Sequence, residues 1–153
     1  MAIETALLID RGDTVTPLVD LLEAVWPEWY NPRGASARAD LAERMAREHM
    51  PLGIVAFVDG ALAGTCALAA KSGGLVTERG PWLGGLVVAP EFRGQGVGAA
   101  LLARTLVEAR RLGHERVYAL TATAQALFVR EGWRLVETTP VHGEVHAVFV
   151  QSC

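Results

Sequence analysis

Between residues 91 and 99 the chain reads EFRGQGVGA, with glycine at 94, 96 and 98 and Arg93 beside them. Glycine at every second position frees the backbone to aim successive amides at one point. Where such a turn opens a helix, its amides join the N–H groups that every helix start leaves unpaired, and the helix dipole favours an anion there. Arg93 adds charge, so a pyrophosphate is the natural guest of Arg93, Gly94, Gln95, Gly96, Val97, Gly98 and Ala99. Two other phosphate turns fit less well. A nucleotide P-loop ends Gly-Lys-Ser/Thr, but Gly98 is followed by Ala99-Ala100, with no ammonium for a terminal phosphate and no hydroxyl for magnesium. A dinucleotide fingerprint is loosely met by Gly94-x-Gly96-x-x-Ala99. The following strand, however, ends YALTATA without an acid for a ribose, and the turn lies behind a run of strands instead of opening the first βαβ unit.

The elements around the turn must hold it. PWLGGLVVAP, residues 81–90, is a continuous apolar run, which predicts a strand buried on both faces. Beyond the turn, Leu101, Leu102, Leu106, Ala109 and Leu112 recur at helical spacing and predict a helix to about Leu112, with Gly113 as its C-terminal cap. Arg104, Glu108 and Arg111 fall on its solvent face at spacings that allow pairing. Upstream, AIETALLI reads as a strand. Thr16-Pro17 reads as a cap and the first residue of a helix, PLVDLLEAVW, that stops at Pro27. Ser36 is placed to cap a second helix over 37–49, ended near Pro51.

Strands at 52–58 and 61–70 flank Asp59-Gly60, a preferred two-residue hairpin turn. The apolar stretch LGIVAFVDGALAGTCALAA is therefore read as a hairpin and not a membrane span. A strand at 116–120, a short helix at 124–132 and strands at 133–139 and 144–150 complete the chain. VHAVFV in the last strand is long and apolar and reads as a sheet edge, where pairing with a second copy would give a homodimer. The order predicts a mixed sheet flanked by helices, α/β or α+β in class.

Composition narrows the function classes. Of 153 residues 51% are apolar and 20% charged, which suits one folded domain with a real core. The net charge is −3 with no Lys/Arg block, so no nucleic-acid surface is expected. Glu4 stands where a signal peptide would be positive, and Cys66 and Cys153 make no disulfide framework; a cytoplasmic protein without membrane attachment is the expectation.

The whole string LVVAPEFRGQGVGAALL closely resembles the acyl-CoA signature of the GNAT superfamily of N-acetyltransferases, Arg/Gln-x-x-Gly-x-Gly/Ala after a strand ending Val-x-Pro. The matching residues are Arg93, Gly96 and Gly98, after Val88-Ala89-Pro90. AQALFVREGWRLVE resembles the family's second signature, a short helix ending in Gly-aromatic before a strand. Element order agrees over essentially the whole chain. The resemblance implies one N-acetyltransferase domain over 1–153, built on a mixed, mostly antiparallel seven-stranded sheet with about four helices and splayed at a central parallel strand pair. It implies acetyl-CoA as co-substrate, with no metal. The pyrophosphate would lie on the amides of 93–99. The pantetheine arm would run along Leu86, Val87 and Val88 and against Phe128, with a bulge at Gly84-Gly85 and a Val88 amide as oxyanion donor.

The implied reaction is direct acetyl transfer to a primary amine in a ternary complex. The amine must lose a proton, and Glu78 and Glu137 are candidate acceptors, with His142, Glu144 and His146 beside them. The last three would share a strand face and invite a metal, but Gly143 among them indicates a turn. No cysteine is placed as an acyl carrier. Phe128 departs from the family, which often has a tyrosine there to protonate the leaving thiolate. Water or a hydroxyl such as Thr121 or Thr123 would substitute; otherwise the chain is a non-catalytic acyl-CoA-binding or sensing module. In this fold the loop between the first two helices commonly walls the acceptor pocket. Here it offers Trp26, Trp29 and Tyr30 with Glu28, and Trp82 joins them, a set suited to a cationic amine on a small molecule or a protein.

Overall fold

The structure, a computed structural model, describes residues 1–30, 36–72 and 74–153. Its centre is β2, Leu52–Val58, whose seven residues are all buried. Side chains of a strand alternate between faces. Leu52, Ile54, Ala56 and Val58 therefore enter one apolar cluster, and Val55 and Phe57 enter another on the opposite face. A strand apolar at every position needs cover on both sides, and helices supply it.

The sheet has seven strands, β1 (Ile3–Leu7), β2, β3 (Ala61–Ala69), β4 (Trp82–Val88), β5 (Arg116–Thr121), β6 (Arg134–Val141) and β7 (Glu144–Ser152), in the order β1-β2-β3-β4-β5-β7-β6. Every neighbouring pair is antiparallel except β4 and β5, which run parallel. One face carries α1 (Val15–Val25), α2 (Pro27–Tyr30) and α3 (Ala37–Glu43), packed through Leu18, Leu22, Tyr30 and Leu41. The other carries α4 (Val97–Arg111) and α5 (Gln125–Arg130), packed through Leu101, Leu102, Ala109 and Phe128. Phe128 stacks on Phe149 at 5.4 Å and meets Trp133 edge-on at 5.1 Å.

Several local expectations hold. Asp59 (φ 49°) and Gly60 (φ 84°) make the β2–β3 turn with both central residues left-handed. The Ser36 hydroxyl accepts the Ala39 amide at 3.1 Å and caps α3. After α4, the Gly113 amide donates to the Arg110 carbonyl and the His114 amide to the Ala109 carbonyl, the paired bonds of a Schellman end.

Other expectations are corrected. Helix α1 begins at Val15 after Thr14, two residues earlier than Pro17. Proline is tolerated there because amides of the first turn have no partner inside the helix. Helix α3 ends at Glu43 and not near His49. The Arg44 carbonyl is taken by the Gly53 amide of β2 at 2.9 Å, a tertiary bond that draws the chain off the helix axis. Strand β4 is only half-buried from Gly84 to Leu86, because its neighbour departs there. Strand β7 is not an edge: it lies between β5 and β6, so its apolar run gives no ground for pairing with a second copy. The edges are β1 and β6, and β6 is mostly exposed and carries Pro140.

Candidate active site

The parallel pair β4–β5 makes the site possible. Its register is Trp82 with Tyr118 and Leu83 with Ala119, and it goes no further. Beyond Leu83 the strands splay while β4 stays paired with β3. Two β4 residues, Gly85 and Leu86, stand opposite the single β3 residue Cys66, which is a bulge. Gly85 has φ +60°, a conformation that glycine adopts without strain. Further along, the Ala89 amide bonds to the Ala63 carbonyl on the β3 side at 2.7 Å. Amides alternate between the edges of a strand, so those of Val88 and Leu86 face the opened side.

Past β4 the chain makes a short helical turn, Pro90–Phe92, and then the glycine turn. Gly94 (φ 75°) and Gly96 (φ 92°) are left-handed. Gly96 caps α4, whose start carries no side-chain cap. Ala100 is the first residue to donate back into the helix, to the Gly96 carbonyl at 3.1 Å. The amides of Val97, Gly98 and Ala99 thus keep the open donor capacity of a helix start. Arg93 curls back, with Nε donating to the Val88 carbonyl at 3.2 Å, and the Gln95 side chain donates to the Glu91 carbonyl at 3.2 Å. At Gly98 an added Cβ would come within 2.9 Å of Leu127 Cδ2, so α4 and α5 approach closely beside the turn. An uncapped, glycine-lined helix start with a guanidinium at its rim fits a pyrophosphate.

Two hollows meet at the bulge. The first, about 330 Å³, lies in the splay among Leu86, Thr121, Thr123, Phe128, Glu144 and His146. The second, about 530 Å³, lies toward the helices among Trp26, Trp29, Asp40, Glu43, Arg44 and Lys71. Trp26, Gly84 and Gly85 border both. Nothing lies within 4 Å of where a Gly84 Cβ would stand, so glycine keeps this neck open.

The fold sorts the residues picked out from sequence. Leu86 and Phe128 line the first hollow; Trp26 and Trp29 line the second. Val87 is buried under the α1–α3 layer. Tyr30 is 7% exposed and gives its hydroxyl to Asp40 at 3.2 Å. Burial, then the Asp40 charge, pushes this phenol up to about 12, so it stays a neutral donor. Residues 31–34 of the same loop lie outside the described residues.

Trp82 borders neither of these two hollows. It is 1% exposed, its indole N–H is given to the Arg79 carbonyl at 2.7 Å, and its ring meets Tyr118 at 5.4 Å. Glu78 borders a different hollow, with Gly113, His114 and Tyr118, at the end of β4 away from the splay. Glu137 is held by Arg79 at 3.1 Å, also away from the splay. Glu144 and His146 do reach it, because β7 runs on past the last β5 residue, Thr121, which pairs with Ala147. His142 (φ 51°) and Gly143 (φ 79°) form the β6–β7 turn. Among the described residues no three of His, Cys, Asp or Glu converge as metal ligands.

The His146 Nδ1 atom lies 2.9 Å from the Glu144 carbonyl oxygen. A carbonyl only accepts, so the tautomer that satisfies this contact carries its proton on Nδ1 and leaves Nε2 with a lone pair. The Thr121 hydroxyl oxygen accepts the Ala124 amide at 2.9 Å, which leaves its own proton to donate. Asp40, Glu43 and Arg44 were missed from sequence. They sit at positions i, i+3 and i+4 across α3 and its C-cap, and that spacing was the available signal.

Comparison with known proteins agrees with this frame. No curated protein matches the chain. Solved structures do. An aminoglycoside 6'-N-acetyltransferase complexed with coenzyme A superposes with a TM-score of 0.76 at 18% identity, over 99% of this chain and 97% of that one. YncA from Salmonella typhimurium with its cofactor acetyl-CoA gives 0.75 at 17% identity, over 99% and 94%. The PaiA N-acetyltransferase from Thermoplasma acidophilum in complex with coenzyme A gives 0.72 at 16% identity, over 100% of both chains. Identities this low establish the shared fold and nothing about substrates. The sequence itself goes further, matching the model of the acetyltransferase (GNAT) family over residues 18–133. With the splayed pair, the bulge and the glycine turn all inside or bordering that match, the chain belongs to the GNAT acetyltransferase family.

Proposed function

We propose that this chain transfers an acetyl group from acetyl-CoA to the amine of a small molecule, directly and within a ternary complex. One observation carries the reading: two hollows of different character meet at Gly84-Gly85, at the mouth of a splayed strand pair with a phosphate-type helix start beyond it. The pyrophosphate of CoA would rest on the amides from Arg93 to Ala99. Its pantetheine arm would pair with the slot-facing backbone of Leu86 and Val88 and lie over Phe128. When bound, acetyl-CoA supplies an activated thioester carbonyl at the neck.

Acceptor amines enter from the second hollow. The amine nitrogen forms a bond to the carbonyl carbon, the carbon–sulfur bond breaks, and CoA leaves as its thiolate. The amide of Leu86, which borders the first hollow, is better placed than that of Val88 to donate to the developing oxyanion. His146 Nε2 takes the proton that the amine must lose, in place of Glu78 or Glu137. Thr121 stands where its hydroxyl can donate to the thiolate, a role that the phenyl ring of Phe128 cannot fill.

Phe128 also supports a second reading, that of a non-catalytic acyl-CoA-binding module. A melt with and without acetyl-CoA, followed by CoA-release assays against a panel of primary amines, separates the two. A raised midpoint together with amine-dependent CoA release supports the enzyme. A raised midpoint with no release supports the binding module, and an unchanged midpoint refutes both.

A further inference from the structure

Among the described residues, Arg44 Nη1 is the only buried side-chain nitrogen or oxygen without a hydrogen-bond partner. Its surroundings make this unusual. A Cβ built on Gly85 would stand 3.2 Å from Nη1, 3.3 Å from Nη2 and 3.5 Å from Cζ, so the guanidinium lies directly against the bulge. The residue is pinned at the end of α3, its amide donating to the Leu41 carbonyl at 3.1 Å and its carbonyl accepting the Gly53 amide at 2.9 Å. Asp40, one turn back, is engaged by the Tyr30 hydroxyl instead. A guanidinium stays charged, and its planar fork of donors matches a carboxylate. Leaving its Nη1 desolvated and unpaired is costly, so the arrangement is completed when an anion arrives.

Resting on the transfer reading above, we propose that Arg44 binds the carboxylate of the acceptor, and that the acceptor is an α-amino acid or a short derivative with a free α-carboxylate. The spacing fits. In an α-amino acid one carbon separates the nitrogen from the carboxylate. A carboxylate on Arg44 therefore leaves the nitrogen beside Gly84-Gly85, where the hollows meet. The remaining side chain extends into the second hollow, along Trp26 and Trp29. The phosphates of CoA do not compete for Arg44, because it lies against Gly85 in the middle of β4 and the glycine turn lies beyond that strand's C-terminal end. A polycationic acceptor would meet like charge at the neck.

The test measures kcat/KM at saturating acetyl-CoA for matched pairs: phenylalanine against phenethylamine, leucine against isoamylamine, tryptophan against tryptamine. The amino acids should be favoured about ten- to a hundredfold, the loss expected when a charged donor keeps no partner. Arg44→Met should collapse that ratio toward one, and Arg44→Lys should restore part of it. A wild-type preference for the decarboxylated amines overturns the proposal, as does an Arg44→Met variant that keeps the ratio. If no amine is acetylated, N-acetylphenylalanine is titrated calorimetrically into the protein–CoA complex. Binding that Arg44→Met abolishes sustains the carboxylate site while the transfer reading fails; no binding to wild type removes the site. Should Arg44→Met not fold, the wild-type ratio and Arg44→Lys decide alone.

Discussion

Two glycines separate the structural cost of a left-handed residue from a role in holding phosphate. Gly96 has φ +92° at the start of α4, and Gly113 has φ +90° just past its end. An alanine Cβ at 96 would meet nothing closer than Ile3 Cδ1 at 3.6 Å, an ordinary contact, and at 113 nothing within 4 Å. Neither substitution clashes, so each costs only the backbone penalty of about 1–2 kcal/mol. At about 2–4 °C per kcal/mol, both variants should melt about 2–8 °C below wild type. Binding should split them. Relief of the strain at 96 rotates the turn and swings the amides of Val97 and Gly98 off the phosphate direction. Losing one charge-assisted hydrogen bond, worth about 1.5–3 kcal/mol, should weaken CoA about ten- to a hundredfold in Gly96→Ala. Gly113→Ala, at the far end of the helix, should bind CoA like wild type. Calorimetric titration of CoA, with melts of all three proteins, makes the comparison. A Gly96→Ala protein that melts low yet binds CoA normally would refute the placement of the pyrophosphate. So would equal weakening in Gly113→Ala.

His146→Gln should lower kcat about a hundredfold or more. Glu78→Gln, at the other end of β4, should leave kcat unchanged; the reverse pattern would return the proton to Glu78. Glu108, 4% exposed on α4, receives hydrogen bonds from Arg111 and Arg104, each at 2.8 Å. Burial works to raise its carboxyl, but Arg111 and then Arg104 outweigh it and hold the group below its ordinary value. A carboxyl lowered on folding adds stability above its unfolded value of ~4.3, and that stability is lost as pH falls through the lower folded value. Glu108→Gln should therefore cost about 1.5–3 kcal/mol at neutral pH, a difference in denaturant midpoints that closes in acid. Cys66 is fully buried, and burial pushes its thiol up to about 11, whereas Cys153 is partly exposed. A thiol reagent should titrate one cysteine in the native protein and two after denaturation; two fast thiols in the native state would contradict the packing of β3 on α4.

What the sequence determined by itself was local. Asp59-Gly60, Ser36, Gly113 and the alternate glycines at 94 and 96 each specify a backbone conformation within a few residues, and each was legible because turn and cap chemistry depends on near neighbours. The seven strands and the α4 stripe were legible for the same reason, since periodicity is written along the chain. Tertiary structure decided what depends on residues far apart. It ended α3 at Glu43, because Gly53 claims the Arg44 carbonyl. It placed β7 inside the sheet and β6 at the edge, which no single strand's composition reveals. It sent Trp82, Glu78 and Glu137 away from the splay and brought His146 and Thr121 to it, because the splay follows from how β4 and β5 diverge and not from either strand alone. Above all, it set the Arg44 guanidinium, 41 positions back along the chain, against Gly85 with its Nη1 unpartnered among the described residues. A charge can be read from a sequence; whether anything in the folded chain answers it is settled only by packing.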